Sequence, residues 1–131
     1  MAYLIDTNIA IHLRDGNEAV EIEMLALGIL PDLSIISATE LEGGVTRAPA
    51  LADFRRAKLD EMLSTFAILS YGPAESVAYG KIVAAVGYSR PKLLDRMIAA
   101  TAIVNGLTLI TANAADFREI PGLNLLDWGR A

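Results

Sequence analysis

The stretch MIAATAIVNGLTLITANAA, residues 97–115, runs for nineteen residues without a charge. That is close to the length of a bilayer span, so its reading decides the fold. Asn105-Gly106 sits in the middle, and that pair is a helix-stop signal. Beyond it, Thr108 and Thr111 are interleaved with Leu109. The stretch therefore reads as helix, glycine stop and buried strand. It belongs to the interior of an α/β protein, not to a membrane.

Working outward, the same alternation recurs. On the N-terminal side the helix starts at about Lys92, and LTLIT at 107–111 is its strand. Residues 2–6 form a short strand, followed by a helix over Thr7–Asp15. Asn17 caps a helix that stops at Gly28. LSIIS at 33–37 is a second buried strand. A helix follows from about Ala38, weakened by Gly43-Gly44, and another runs from about Ala50 to Ser64. FAILS at 66–70 is a third strand. Pro73 suits the first turn of a helix reaching about Val86. LNLLD at 123–127 is a candidate fifth strand. The strands are short continuous apolar runs separated by helices. That pattern predicts an α/β fold: a short parallel sheet of four to five strands flanked by helices on both faces.

The chain has 131 residues and 53% hydrophobic content, enough to predict one domain over 1–131. No cysteine is present, so disulfides and Cys-ligated zinc are excluded. A reducing cytoplasm is compatible with that composition. Asp6 interrupts the N-terminus before a signal-peptide core could form, so no signal peptide is expected. The net charge of −5 argues against nucleic acid on its own. Its distribution argues less. Residues 47–96 hold eight basic residues against five acids, a net +3, while the remainder holds three against eleven, a net −8. A basic middle permits RNA binding; an ordinary mixed surface accounts for it equally.

In an open α/β sheet, sites form beyond the carboxyl ends of the strands. Asp6 follows the first strand there, Glu40 lies just past the second, and Asp116 follows the fourth. Asp95 lies near the start of a helix and shares a face with Ile98, Ala99 and Ala102. A carboxylate on such a face needs a cation, a donor or an open cleft. Each acid also has an ordinary structural use. Asp6 can cap a helix, Ser37-x-x-Glu40 fits a capping box, Asp116 can form an Asx turn, and Asp95 can pair with Lys92 or Arg96. Those uses do not explain convergence on one edge. Four carboxylates in one cleft repel unless a cation sits among them. An oxygen-only donor set points to Mg²⁺ or Mn²⁺, with the carboxyl groups expected to gather within roughly 4–8 Å.

Such a site activates water for phosphoryl chemistry. No Gly-rich phosphate loop is present, so phosphodiester cleavage fits better than nucleotide hydrolysis. The basic residues of 47–96 can hold a nucleic-acid backbone.

Three segments in order, LIDTNIAIHL, SIISATELEGGV and DRMIAATAIVNGLTLITANAADF, resemble the PIN domain, and specifically the VapC-type toxin ribonucleases. The likeness covers nearly the whole chain, and the last segment is its most specific part. It implies a PIN-like three-layer fold and an endoribonuclease acting through Mg²⁺ or Mn²⁺. Carried over by motif, the ligands and catalytic acids are Asp6, Glu40, Asp95 and Asp116. Thr7 and Asn8 would position Asp6, and Thr111 and Asn113 would hold the loop. The resemblance also implies a homodimer and a VapB-type antitoxin that blocks the cleft. Gly43-Gly44 departs from the bulkier residues usual there and puts the local geometry around Glu40 in question. Arg90, Lys92 and Arg96 are candidate RNA contacts, with Arg96 alternatively in an ion pair elsewhere.

His12 reads as a surface or partner-contacting residue, and Trp128 as a packing anchor. IEMLALGIL at 22–30 reads as core, or as part of an antitoxin groove. Two other functions remain open. A non-catalytic RNA-binding or scaffold protein of the same fold would be indifferent to EDTA. A haloacid-dehalogenase-type phosphatase needs a second Asp where Asn8 stands, and a receiver domain needs a late Lys, yet Lys92 is the last one.

Overall fold

The structure, a computed structural model, describes residues 2–129 of the 131. Its elements run β1 (Tyr3–Ile5), α1 (Thr7–Arg14), α2 (Glu18–Leu27), β2 (Asp32–Ser34) and α3 (Ile35–Val45). A 3-10 turn at Pro49–Leu51 leads into α4 (Ala52–Thr65), followed by β3 (Ile68–Leu69), α5 (Pro73–Val86) and α6 (Leu93–Val104). The chain closes with β4 (Thr108–Thr111), a 3-10 turn at Ala114–Asp116 and β5 (Leu125–Asp127). The strands form one sheet in the order β3-β2-β1-β4-β5, and every pairing is parallel.

Successive strand residues point to opposite faces, so a strand buried on both sides feeds two cores. Leu4 and Leu109 join Ile82, Ile98, Ala99, Ala102 and Phe117 on the α5–α6 face. Ile5 and Ile110 join Ile9, Leu33, Leu41, Leu59 and Met62 on the face covered by α1, α3 and α4. The three-layer arrangement follows directly from that alternation. The 97–115 stretch behaves as its glycine predicts. Gly106 takes a left-handed φ of +64°, which ends α6 and lets Leu107 start back into the sheet. Among the described residues, no helix is long and apolar enough to cross a membrane.

Several boundaries move. LSIIS is not all strand: β2 stops at Ser34, whose hydroxyl caps α3 by accepting from the Ile36 N–H at 3.0 Å. The β-branched pair Ile35-Ile36 favours a strand locally, but the cap starts a helix there. FAILS shortens to two paired residues, whereas LNLLD does supply β5. Gly43-Gly44 does not break α3, which continues to Val45. Instead, Gly44 makes room for a neighbour. A Cβ there would lie 2.9 Å from Arg14 Nη1, and Arg55 donates to the Gly44 carbonyl at 2.8 Å. The 22–30 run is core only in part: Met24 and Leu27 pack against the α1–α3–α4 core, and most of the rest lies open. Val20 is the buried residue of α2, while Leu25 is 83% exposed and Ile22, Ile29 and Leu30 are also open. Trp128 does pack against the α1–α3–α4 core.

Candidate metal centre

The strand order sets the location. From β1 the chain builds outward through β2 and β3, then returns to the other side of β1 with β4 and β5. The carboxyl ends of β1 and β4 therefore border the switch point, where open α/β sheets place their ligands. Asp6 follows β1 there, locked to β4 by its N–H to the Ile110 carbonyl at 3.0 Å.

Asp6 is 2% exposed and does the work of a helix cap. Its Oδ1 accepts from the Ile9 N–H at 2.9 Å, and the Asn8 N–H and the Thr111 hydroxyl also bond its carboxylate. Burial nevertheless wins, pushing its pKa above the ordinary 3.8. Asn8 itself is exposed, so its service to Asp6 comes through the backbone. His12, half-buried on α1, lies close enough for its charge to act on Asp6.

Glu40 is held from across the fold. Thr7 donates to Glu40 Oε1 at 2.6 Å, and its hydroxyl also lies 2.9 Å from Ser37 Oγ. The Ser37–Glu40 capping box does not form, because the helix already starts two residues earlier and Ser37 is buried within it. Ser37 was visible in the sequence only as a false cap; its pairing with Thr7 spans thirty residues and leaves no local signal. Removing the shared hydroxyl by Thr7→Val orphans a buried Ser37 and frees Glu40. A loss of about 1–3 kcal/mol in urea unfolding is expected, with Thr7→Ser close to the parent.

Asp116 closes the 3-10 turn after β4. Asn113 donates its side-chain N–H to the Asp116 carboxylate, and the Asn113 backbone N–H donates to Thr111 Oγ1 at 2.9 Å. Thr111 thus links the Asp6 and Asp116 arms. Asp95, in the first turn of α6, is raised to about 6. Burial contributes most, followed by the charges of Asp6, Asp116 and Glu40; Lys92 opposes them. One carboxyl feels the three others, and the four acids come from four separate segments.

Asp6, Glu40 and Asp116 lie within electrostatic range of Asp95, but the four are not drawn into a tight shell. Among the described residues, no three His, Asp or Glu side chains stand as a ready ligand set for one ion. The expected gathering of the carboxyl groups around one ion, within roughly 4–8 Å, is thus not present as a preformed ligand set among the described residues. The donor set is oxygen-only and suits a hard divalent cation, which would relieve the repulsion at Asp95.

Arg96 corrects the expectation of an RNA contact. It is 3% exposed, with Nη1 donating to the Gly87 carbonyl at 2.6 Å and Nη2 to Glu119 Oε1 at 3.0 Å. Arg90 is exposed on the α5–α6 loop, and Lys92 lies 3.7 Å from Glu119 Oε1.

A parallel sheet with an acidic switch point, in this element order, defines a class, and residues 3–123 match the PIN domain family. The chain belongs to that family. It is 30% identical to Ribonuclease VapC2 of Rickettsia felis over 137 residues, covering 99% of this chain and 100% of that protein. It is 34% identical to Ribonuclease VapC1 of the same organism over 132 residues, covering 96% of each. Among solved structures, it is similar to VapBC2 from Rickettsia felis bound to a DNA fragment from their promoter. The TM-score is 0.81 at 28% identity, over 98% of this chain and 99% of that one. Family membership removes the phosphatase and receiver readings.

Proposed function

We propose that this chain is a Mg²⁺- or Mn²⁺-dependent endoribonuclease, the toxin component of a type II toxin–antitoxin system, acting in the cytoplasm as one domain over 1–131. The observation that carries the reading is Asp95, a half-buried carboxyl that feels the charges of Asp6, Asp116 and Glu40 at once; burial first, and those three acids after it, raise it to about 6. Asp6, Glu40, Asp95 and Asp116 hold the ion. When bound, it supplies an activated water and stabilises charge on the phosphodiester. Thr7 fixes Glu40, Thr111 and the Asn8 N–H fix Asp6, and Asn113 fixes Asp116. Arg90 and Lys92 hold the RNA backbone beside the cleft. The chain works as a homodimer and is restrained by a VapB-type antitoxin. The exposed apolar groove of Leu13, Met24, Leu25, Ile29 and Leu30 suits an antitoxin segment, because an open apolar patch of this kind marks a partner site.

The test is metal dependence. Purified protein is expected to cleave RNA with Mg²⁺ or Mn²⁺, to stop in excess EDTA, and to resume when the ion is restored. Cleavage that ignores EDTA sinks the reading, and no cleavage under any ion favours a non-catalytic scaffold. A pH dependence follows. Asp95 must lose its proton to bind a cation, and that proton is held up to about 6. Mn²⁺ affinity is therefore expected to be fully developed near pH 7.5 and to fall steeply as pH drops through about 6. Calorimetric titration across pH 5 to 8 measures it.

A further inference from the structure

We propose that Arg96 is a positioning residue for the nuclease site. It sets the separation of Asp95 from Asp116. This rests on the metal-nuclease reading above.

Its place in the chain is the first reason. Arg96 directly follows Asp95, and its partner Glu119 comes three residues after Asp116. The one charged bond between them, 3.0 Å long, therefore ties the helix that carries one acid to the turn that carries the other. The second guanidinium nitrogen takes the Gly87 carbonyl and pins the end of α5 to the same point. Three segments of the cleft meet on one side chain.

The energetics point the same way. Removing a guanidinium from water is costly, and a buried ion pair is often no more stable than a well-packed apolar substitute. Here the burial is also imperfect, because Arg96 Nε is buried without a hydrogen-bond partner. Fold stability alone gives little reason for such a group. Geometry gives a better one. A planar fork fixes the direction of two bonds at once, which an apolar contact cannot do. The four acids repel; Phe117 already anchors the turn after β4 in the α6 core, and the ion pair adds a directed tether between the two acid-bearing segments that apolar packing does not supply. Lys92, 3.7 Å from the same Glu119 oxygen, adds a second, looser tether.

The test compares Arg96→Met, Arg96→Lys and Glu119→Ala with the parent chain. The readouts are Mn²⁺ affinity of RNA-free protein by electron paramagnetic resonance titration, kcat and KM for RNA, and the thermal midpoint. Groups that orient metal ligands are worth roughly 10–100-fold in affinity or activity. Arg96→Met and Glu119→Ala are each expected to weaken Mn²⁺ binding by about 10-fold or more. Their kcat should fall while KM for RNA holds. Arg96→Lys should recover part of the loss, since an ammonium can keep one partner but not both. Combining Arg96→Met with Glu119→Ala should cost little beyond either alone, because both remove the same bond.

A merely structural arginine would lower the thermal midpoint and leave Mn²⁺ affinity within about twofold of the parent. That result in folded variants overturns the proposal and leaves the nuclease reading standing. A parent chain that binds no Mn²⁺ overturns both. Should Arg96→Met not fold, Glu119→Gln decides, since the Glu119 side chain is half-exposed and the amide oxygen can still accept from Arg96 while the charge is lost.

Discussion

Asp6→Asn is expected to leave a folded protein that no longer cleaves RNA. Asp6 has two tasks for one carboxylate: it caps α1 through Ile9, and on the proposed function it would hold the ion. An amide oxygen can still accept from the Ile9 N–H, so the cap survives. The negative charge does not. Partners that only orient metal ligands are worth roughly 10–100-fold, so loss of a ligand should cost more than about 100-fold in kcat/KM. Asp6→Ala removes both tasks. It should match the activity loss and, in addition, destabilise the fold by about 1 kcal/mol, the usual worth of an N-cap. Cleavage assays beside urea unfolding of both variants make the comparison. If Asp6→Asn cleaves as fast as the parent, Asp6 is a cap and nothing more.

Asp95→Asn is expected to lose activity to a similar degree while gaining stability. The sign follows from its titration. The folded chain holds the Asp95 proton up to about 6, above the ordinary 3.8. A raised carboxyl favours the fold while protonated, below about pH 4. That support disappears as pH rises through about 6, leaving a charge pressed against three others. Asn carries no charge at any pH. In EDTA the variant should therefore be the more stable one at pH 7.5, and the difference should vanish near pH 4. A fully buried group with this shift would correspond to just under about 3 kcal/mol. Asp95 is partly open to water, so roughly 1 kcal/mol is the reasonable expectation after screening. For a chain of this size that is a few degrees in Tm, about 3–5 °C. Saturating Mn²⁺ should reverse the order, since the ion stabilises only the parent. Equal thermal midpoints in EDTA at pH 7.5 would remove the idea that the four acids strain one another.

The two variants separate what the sequence disclosed from what it hid. The alternation of strands and helices is a local property, so the sheet and its layers were legible. Strand ends are local as well, which is why Asp6, Glu40 and Asp116 stood out. Asp95 was visible through the small apolar residues sharing its face. The start of α3 was not, because Ser34 capping outweighs the strand preference of Ile35-Ile36. The bridge from Thr7 to Ser37 and Glu40 was hidden for another reason. It joins residues some thirty positions apart, and no periodicity encodes such a contact. Arg96 was left open between an RNA contact and an ion pair, since its charge beside a nuclease acid suits either. Only the approach of Gly87 and Glu119 shows it turned inward. The 22–30 run was legible only in part, with Met24 and Leu27 packed on the core. Apolar residues suggested burial, and the fold leaves Leu25 facing water.

The pairing of β1 with β4 carries a consequence for how the protein comes into being. Tyr3 to Ile5 lie in register with Thr108 to Ile110, so the centre of the sheet joins segments more than a hundred residues apart. Until β4 has been made, β1 lacks a neighbour on that side, and Asp6 lacks the Ile110 carbonyl and the Thr111 hydroxyl that hold it. Asp116 is later still. A growing chain on the ribosome therefore carries Asp6 and Glu40 long before Asp95 and Asp116 exist to complete the set. Long-range parallel pairing also closes slowly. The site cannot assemble until β4 and Asp116 have emerged, which leaves an interval in which a restraining partner can be waiting.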